Sequence, residues 1–167
     1  MTLSLRKKYK TMKTIIGSML ACLSVSVSAQ TVNNVVSENI RYCESTYPYN
    51  NGLLIANFGT EELNPLNSEG KGYIVFYKDG KSEIAIPADG NLSAPKGMFV
   101  RNGYLYVCDV NKIVVYNMKK KDDKPRIINL PEGNLFVNDL AADGNSLYAS
   151  VTNTDKIFRI DISNPAN

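Results

Sequence analysis

From about residue 42 onward the chain alternates short apolar runs with Gly, Asn and Asp turns, and the alternation recurs. The segments "NGLLIANFG" from 51, "NGYLYVCDV" from 102 and "GNSLYASVT" from 144 set Leu54, Leu105 and Leu147 in register, at spacings of 51 and 42 residues. Each copy opens at a Gly/Asn turn, and each follows a short apolar segment: "YCESTYPY", "APKGMFV" and "LFVNDLAA". Each is succeeded by "GYIVFY", "KIVVYN" or "KIFRID", rich in the β-branched and aromatic residues that suit a pleated surface. A fourth strand is expected in two copies. "SEIAIP" follows Asp79-Gly80, a strong two-residue hairpin signal, and "PRIINLP" follows the solvated tip "KKKDDK" at 119–124. No segment of this region holds the 3.6-residue apolar period of a helix over a useful length.

The repeating unit is therefore a four-stranded antiparallel meander of about 40 to 50 residues, the size of a β-propeller blade. The expected fold class is all-β: a partial β-propeller over 42–167, with blades at about 42–90, 91–133 and 134–167, after a lead-in at 30–41. A β-sandwich also has short, regularly spaced strands, but the Leu-for-Leu register favours the propeller. Propellers close with typically four to eight blades, whereas this chain holds two full blades and the first three strands of a third. An incomplete ring is expected, the N-terminal half of a longer propeller whose second half is missing; self-assembly into a closed ring is the alternative.

Residues 1–29 are a different kind of polymer. Arg6, Lys7, Lys8, Lys10 and Lys13 precede the apolar run "IIGSMLACLSVSV" and the small residues "SVSA", the pattern of a secretory signal peptide cleaved after Ala29. Met12 begins a complete leader of its own, so the true start is Met1 or Met12. An exported protein, periplasmic or extracellular, is expected; the alternative is a lipoprotein anchored at Cys22 of "MLAC". The run is shorter than the about 20 apolar residues that span a bilayer, and no later segment approaches that length, so no transmembrane segment is expected.

Export changes the charge argument, because all five ionisable residues of the leader are basic. The remainder carries 14 Lys and Arg against 16 Asp and Glu, which removes the case for nucleic acid. With no histidine in the chain, Ser/His and Cys/His nucleophile systems and His-liganded zinc are excluded. Cys43 and Cys108 enter a compartment that permits a disulfide. Spacing leaves open whether they are bridged or are two buried thiols.

In a propeller the inner strands line the central channel, and ligands gather where they start. The polar residues at those starts are Glu44, Lys96 and Asn138, with Asp139 beside the last. Lys96 is a candidate channel-lining residue that would neutralise Glu44; Asp109 reads as a turn residue of the repeat. The long loop "GTEELNPLNSEGK", 59–71, should overhang the same face, its Glu61, Glu62, Asn64 and Asn67 either solvated or adding oxygen donors.

"CESTYPYNNGLLIANFG", "GKGYIVFYKDGK" and "FVNDLAADGNSLYAS" resemble the senescence marker protein and gluconolactonase family, six-bladed propellers that hold a divalent cation on the channel axis. "APKGMFVRNGYLYVCDVNKIVVYN" is also similar to an NHL repeat, a propeller class that chiefly binds partners. Together these span roughly residues 42–162. The first resemblance implies Glu44 as a metal ligand and Asn138, with Asp139, as contacts to substrate. It implies Ca²⁺, Mg²⁺ or Zn²⁺ polarising a lactone carbonyl toward water, since carboxylate and amide oxygens suit hard cations. The chain departs from that family in having Ser45, Thr46 and Tyr47 where Gly-Pro and an aromatic usually follow the glutamate. It also lacks the later blades that supply a further ligand asparagine and the carboxylate expected to act as base. The expected partner is a small-molecule ligand in the complete form, with lactone or ester hydrolysis, and this chain alone is not expected to be a competent lactonase. A non-catalytic NHL-like module for a protein or glycan is the other reading.

Overall fold

The computed structural model describes residues 32 and 36–164. The leader, Met12, Cys22 and the cleavage site lie outside the described residues. The chain divides into two units, 1–35 and 36–167, and every strand described belongs to the second.

Among the described residues eleven strands form three antiparallel sheets. The first contains β1 (Cys43–Tyr49), β2 (Gly52–Asn57), β3 (Tyr73–Lys78) and β4 (Lys81–Ile86). The second contains β5 (Met98–Arg101), β6 (Tyr104–Cys108), β7 (Lys112–Asn117) and β8 (Arg126–Asn129). The third contains β9 (Val137–Asp143), β10 (Ser146–Val151) and β11 (Lys156–Asp161), with a 3-10 turn at Thr152–Thr154 between the last two. Within each sheet neighbours in space are neighbours in sequence, the up-and-down meander of a propeller blade. The chain is thus an incomplete β-propeller. Among the described residues no helix is long and apolar enough to cross a membrane.

The hairpins are set by residues that tolerate a left-handed backbone. Asn50-Asn51, Asp79-Gly80 and Asn102-Gly103 all have positive φ, the geometry of the tight turns that match the twist of paired strands. Those turns correct the repeat register. Tyr49 pairs with Gly52 across Asn50-Asn51, and Arg101 pairs with Tyr104 across Asn102-Gly103. The equivalent of Leu105 is therefore Leu53, not Leu54, and the spacing is 52 residues rather than 51. A one-residue slip turns a side chain to the opposite face. Accordingly Leu54 packs toward the second sheet and Leu105 packs back toward the first, in one core with Ala56, Ile74, Val107 and Val114. Gly52 opens β2 because a Cβ there would lie 2.5 Å from the Tyr77 carbonyl oxygen and 2.8 Å from the Phe76 ring.

A second core joins the other pair of sheets. Tyr106, Cys108, Ile113 and Val115 meet Val137, Leu147, Ala149 and Val151. The middle sheet is thus covered on both faces, which is why β6 and β7 read as unbroken apolar runs. In β10 burial alternates, and β11 leaves Ile157 73% exposed. The equivalent Ile74 and Ile113 are wholly buried.

Candidate functional site

All three inner strands gain an extra residue at one point of the repeat. In the first sheet Cys43 pairs with Asn57 and Ser45 with Ala56, so Glu44 is bulged. In the second, Lys96 and Gly97 share one partner: the Lys96 N–H donates to the Cys108 carbonyl (2.8 Å), and the Cys108 N–H donates to the Gly97 carbonyl (2.9 Å). In the third, Leu140 and Val137 pair with Ala149 and Val151, leaving Asn138 and Asp139 against Ser150. Bulges re-aim side chains and recur beside functional sites. The residues singled out from sequence stand at these bulges.

The bulges are linked. The Gly97 N–H donates to the Asn138 carbonyl at 2.8 Å. A Cβ on Gly97 would lie 2.6 Å from Asp139 Cα, so only glycine allows the second and third sheets to approach this closely. Glu44 and Asp139 are exposed and Asn138 is half-buried. Partial burial pushes the Glu44 carboxyl above its ordinary value; the Lys96 charge opposes that shift and the Asp139 charge adds to it. Glu44, Lys96 and Asp139 therefore share one electrostatic environment.

The candidate channel-lining residue Lys96 is enclosed by protein. Its side chain is wholly buried, and Nζ donates to the Ala94 carbonyl (2.8 Å) and the Pro65 carbonyl (3.0 Å). The ammonium also sits over the rings of Phe136 (4.8 Å) and Phe58 (5.6 Å), an attraction that strengthens when water is excluded. Desolvation lowers its pKa, while Asp109 and Glu44 raise it. The ammonium thus acts beneath the site, tying loop 59–71 to the inner strand through Pro65.

That loop is fixed by its own polar groups. The Asn67 amide donates to the Asn64 carbonyl (2.9 Å) and the Ser93 carbonyl (3.0 Å), and its oxygen accepts from Glu69 N–H (3.0 Å). Asn64 Oδ1 accepts from Leu66 N–H at 3.0 Å. Glu61 and Glu62 are exposed. The two asparagines therefore shape the loop.

A set of fasteners carries no signal in the sequence. Asp109 is 1% exposed; Oδ1 accepts from the N–H groups of Ser93 (3.1 Å) and Ala94 (2.7 Å), and Oδ2 lies 3.6 Å from Lys112 Nζ. Asn57 Oδ1 accepts from Arg41 N–H (3.0 Å), and Asn153 Oδ1 accepts from Leu135 (3.0 Å) and Phe136 (3.3 Å). Arg41, Ser93 and Leu135 each lie three residues before the bulged position of their sheet. Every inner strand is thus aimed by a side-chain oxygen from the end of the next strand or just beyond it. Asp109 is more than a turn residue.

Cys43 and Cys108 are both free thiols. Cys108 is buried, which pushes its pKa well up, whereas Cys43 is exposed, so the pair is neither bridged nor doubly buried. The donor set does not fit a metal ion held by these residues alone. Among the described residues no three His, Cys, Asp or Glu side chains converge, and the charge beneath Glu44 is already an ammonium.

No family model matches the chain, and no curated protein matches it. Among solved structures it is similar to a chain of the nidogen/laminin complex, with 17% identity over 68% of this chain and 40% of that one and a TM-score of 0.51. It is also similar to the computationally designed Ika4 protein, with 10% identity over 72% of this chain and 66% of that one and a TM-score of 0.48. The fold is β-propeller-like and all-β. The likeness extends to fold alone, and the chain spans 40% of the length of that nidogen/laminin chain.

Proposed function

We propose that the chain is part of an exported, gluconolactonase-like propeller whose complete ring binds a small polar ligand over the bulged ends of the inner strands. The observation that carries this reading is the alignment of Glu44, Lys96 and Asn138-Asp139 on one repeat position, each at a bulge. Glu44 and Asp139 offer carboxylate oxygens, Asn138 offers an amide, and buried Lys96 holds the floor. Hydroxyls of a sugar-like or lactone ligand suit such acceptors. Ca²⁺, Mg²⁺ or Zn²⁺ would need oxygen donors from outside the described residues, and hydrolysis of a lactone or ester would need the remaining blades.

The test is a lactone and sugar panel titrated by calorimetry against the completed propeller, with and without chelator. Glu44→Gln should weaken binding at least tenfold; unchanged affinity would sink the assignment. A second reading, a non-catalytic NHL-like module for a protein or glycan, draws on the shortage of metal donors among the described residues. It predicts indifference to both Glu44→Gln and chelator.

A further inference from the structure

At the junction of the second and third sheets three polar atoms lack partners. Tyr106 Oη, Arg126 Nε and Arg126 Nη2 are buried and make no hydrogen bond among the described residues. Tyr106 pairs with Val115, and Val115 with Arg126, so the three side chains stand in one row across β6, β7 and β8. They occupy the face turned to the third sheet, where Tyr106 and Val115 join the core with Leu147 and Ala149. Arg126 and Arg101 both bear electrostatically on the Tyr106 hydroxyl. Neither arginine forms an ion pair among the described residues. Arg101 is occupied, donating to the Gly144 carbonyl and to Asn145 Oδ1; the buried edge of Arg126 is not.

The two orphaned nitrogens of Arg126 are the ones whose N–H bonds run parallel along one side of the guanidinium. That edge meets two oxygens of a single carboxylate or phosphate. Leaving buried donors unmatched is costly, more so when they are charged. We propose that this junction binds a small oxyanion, held by two parallel hydrogen bonds from Arg126 Nε and Nη2 and a third from Tyr106 Oη. Arg126 opens β8, the last strand of its sheet, and is only half-buried, so movement of that one side chain admits an ion from solvent. The site is built on the middle and outer strands of the second sheet, apart from the bulges of the inner strands.

Thermal unfolding of the full chain at neutral pH and fixed ionic strength tests the site, with chloride replaced in turn by phosphate, sulfate and acetate. At least one oxyanion should raise Tm saturably by a few degrees. Arg126→Lys keeps the charge but loses the fork and should abolish the shift; Tyr106→Phe should weaken apparent affinity several-fold. A preference for phosphate and sulfate identifies a free tetrahedral anion, and a preference for acetate a carboxylate. The Arg126 Nε–H resonance of the unmutated chain gives a reading that does not depend on the variants folding, and it should move with the same saturation. An unmoved resonance with no saturable shift would overturn the site and assign the donors to water. An equal Tm shift in Arg126→Lys would overturn it as a general salt effect.

Discussion

Asp109 offers a sharp test of how the inner strands are aimed, because the other two sheets do the same work with neutral amides. Its carboxylate, 1% exposed, accepts the N–H groups of Ser93 and Ala94, the second at 2.7 Å. In Asp109→Ala both buried donors lose their acceptor, and at about 1–3 kcal/mol for each orphaned group the loss is about 2–6 kcal/mol. The contact with Lys112, at 3.6 Å with that lysine side chain partly exposed, adds little. Asp109→Asn keeps an oxygen for both N–H groups, as Asn153 does for Leu135 and Phe136. Its cost is the difference between charged and neutral hydrogen bonds, about 1–2 kcal/mol. Urea unfolding of the full chain, read as midpoint shifts at constant slope, measures both. If the Asn variant fell as far as the Ala variant, charge pairing with Lys96 and Lys112 would be the function of Asp109, and the parallel with Asn57 and Asn153 would be refuted.

Two further outcomes concern the bulged ends. The Glu44 carboxyl is raised above its ordinary value of 4.5, so the folded protein holds that proton more tightly than the unfolded chain. The resulting stability is fully present below 4.5 and is lost as pH rises through the folded midpoint. A carboxyl-carbon NMR titration should place the midpoint above 4.5 and find it lowered in Asp139→Asn; a midpoint at or below 4.5 in the unmutated chain refutes the burial argument. Gly97→Ala sets a methyl against the backbone of Asp139 and should destabilise by about 3 kcal/mol, the upper end of overpacking. Gly133→Ala, where the methyl meets nothing but φ is +85°, should cost only about 1–2 kcal/mol. Equal losses in urea would show that the close approach of the second and third sheets is not what Gly97 permits.

Strand order was legible because each sheet is a run of consecutive hairpins, so pairing is local and turn residues mark every corner. The phase of the first repeat was not. Asn51-Gly52 looks like Asn102-Gly103, yet the first turn is made by Asn50-Asn51, and Gly52 already belongs to β2. Asparagine tolerates positive φ better than most residues that carry a Cβ, so the signal for one turn spread over three residues and the glycine was placed one position early. A second Leu beside the first hid the error: both Leu53 and Leu54 satisfy the apolar pattern, but only Leu54 is fully buried. The unbroken apolar run from Leu53 to Ala56 holds no alternation that would have arbitrated.

The bulged points of the inner strands were legible by position and not by direction. Corrected for phase, Glu44, Lys96 and Asn138 lie at separations of 52 and 42 residues, which are also those of Leu53, Leu105 and Leu147. Polar residues among apolar neighbours were a true signal of something irregular there. What each side chain does was hidden, because the same position at the same kind of bulge meets different neighbours in each sheet. Parity would give Lys96 the same outlook as Glu44, whereas Glu44 reaches solvent and Lys96 is sealed between two rings and two carbonyls. The fasteners were harder still. Asn57 and Asp109 keep a constant distance of 16 residues from their targets Arg41 and Ser93, but the turn at Thr152–Thr154 moves the third to 18. Two asparagines and one aspartate drifting by two positions leave no sequence motif, although they leave one geometry: an oxygen reaching back to the residue three before each bulge. The bulges are therefore held from the adjoining strand, and substitutions at the fasteners should disturb the bulged ends of the inner strands before they disturb the sheets.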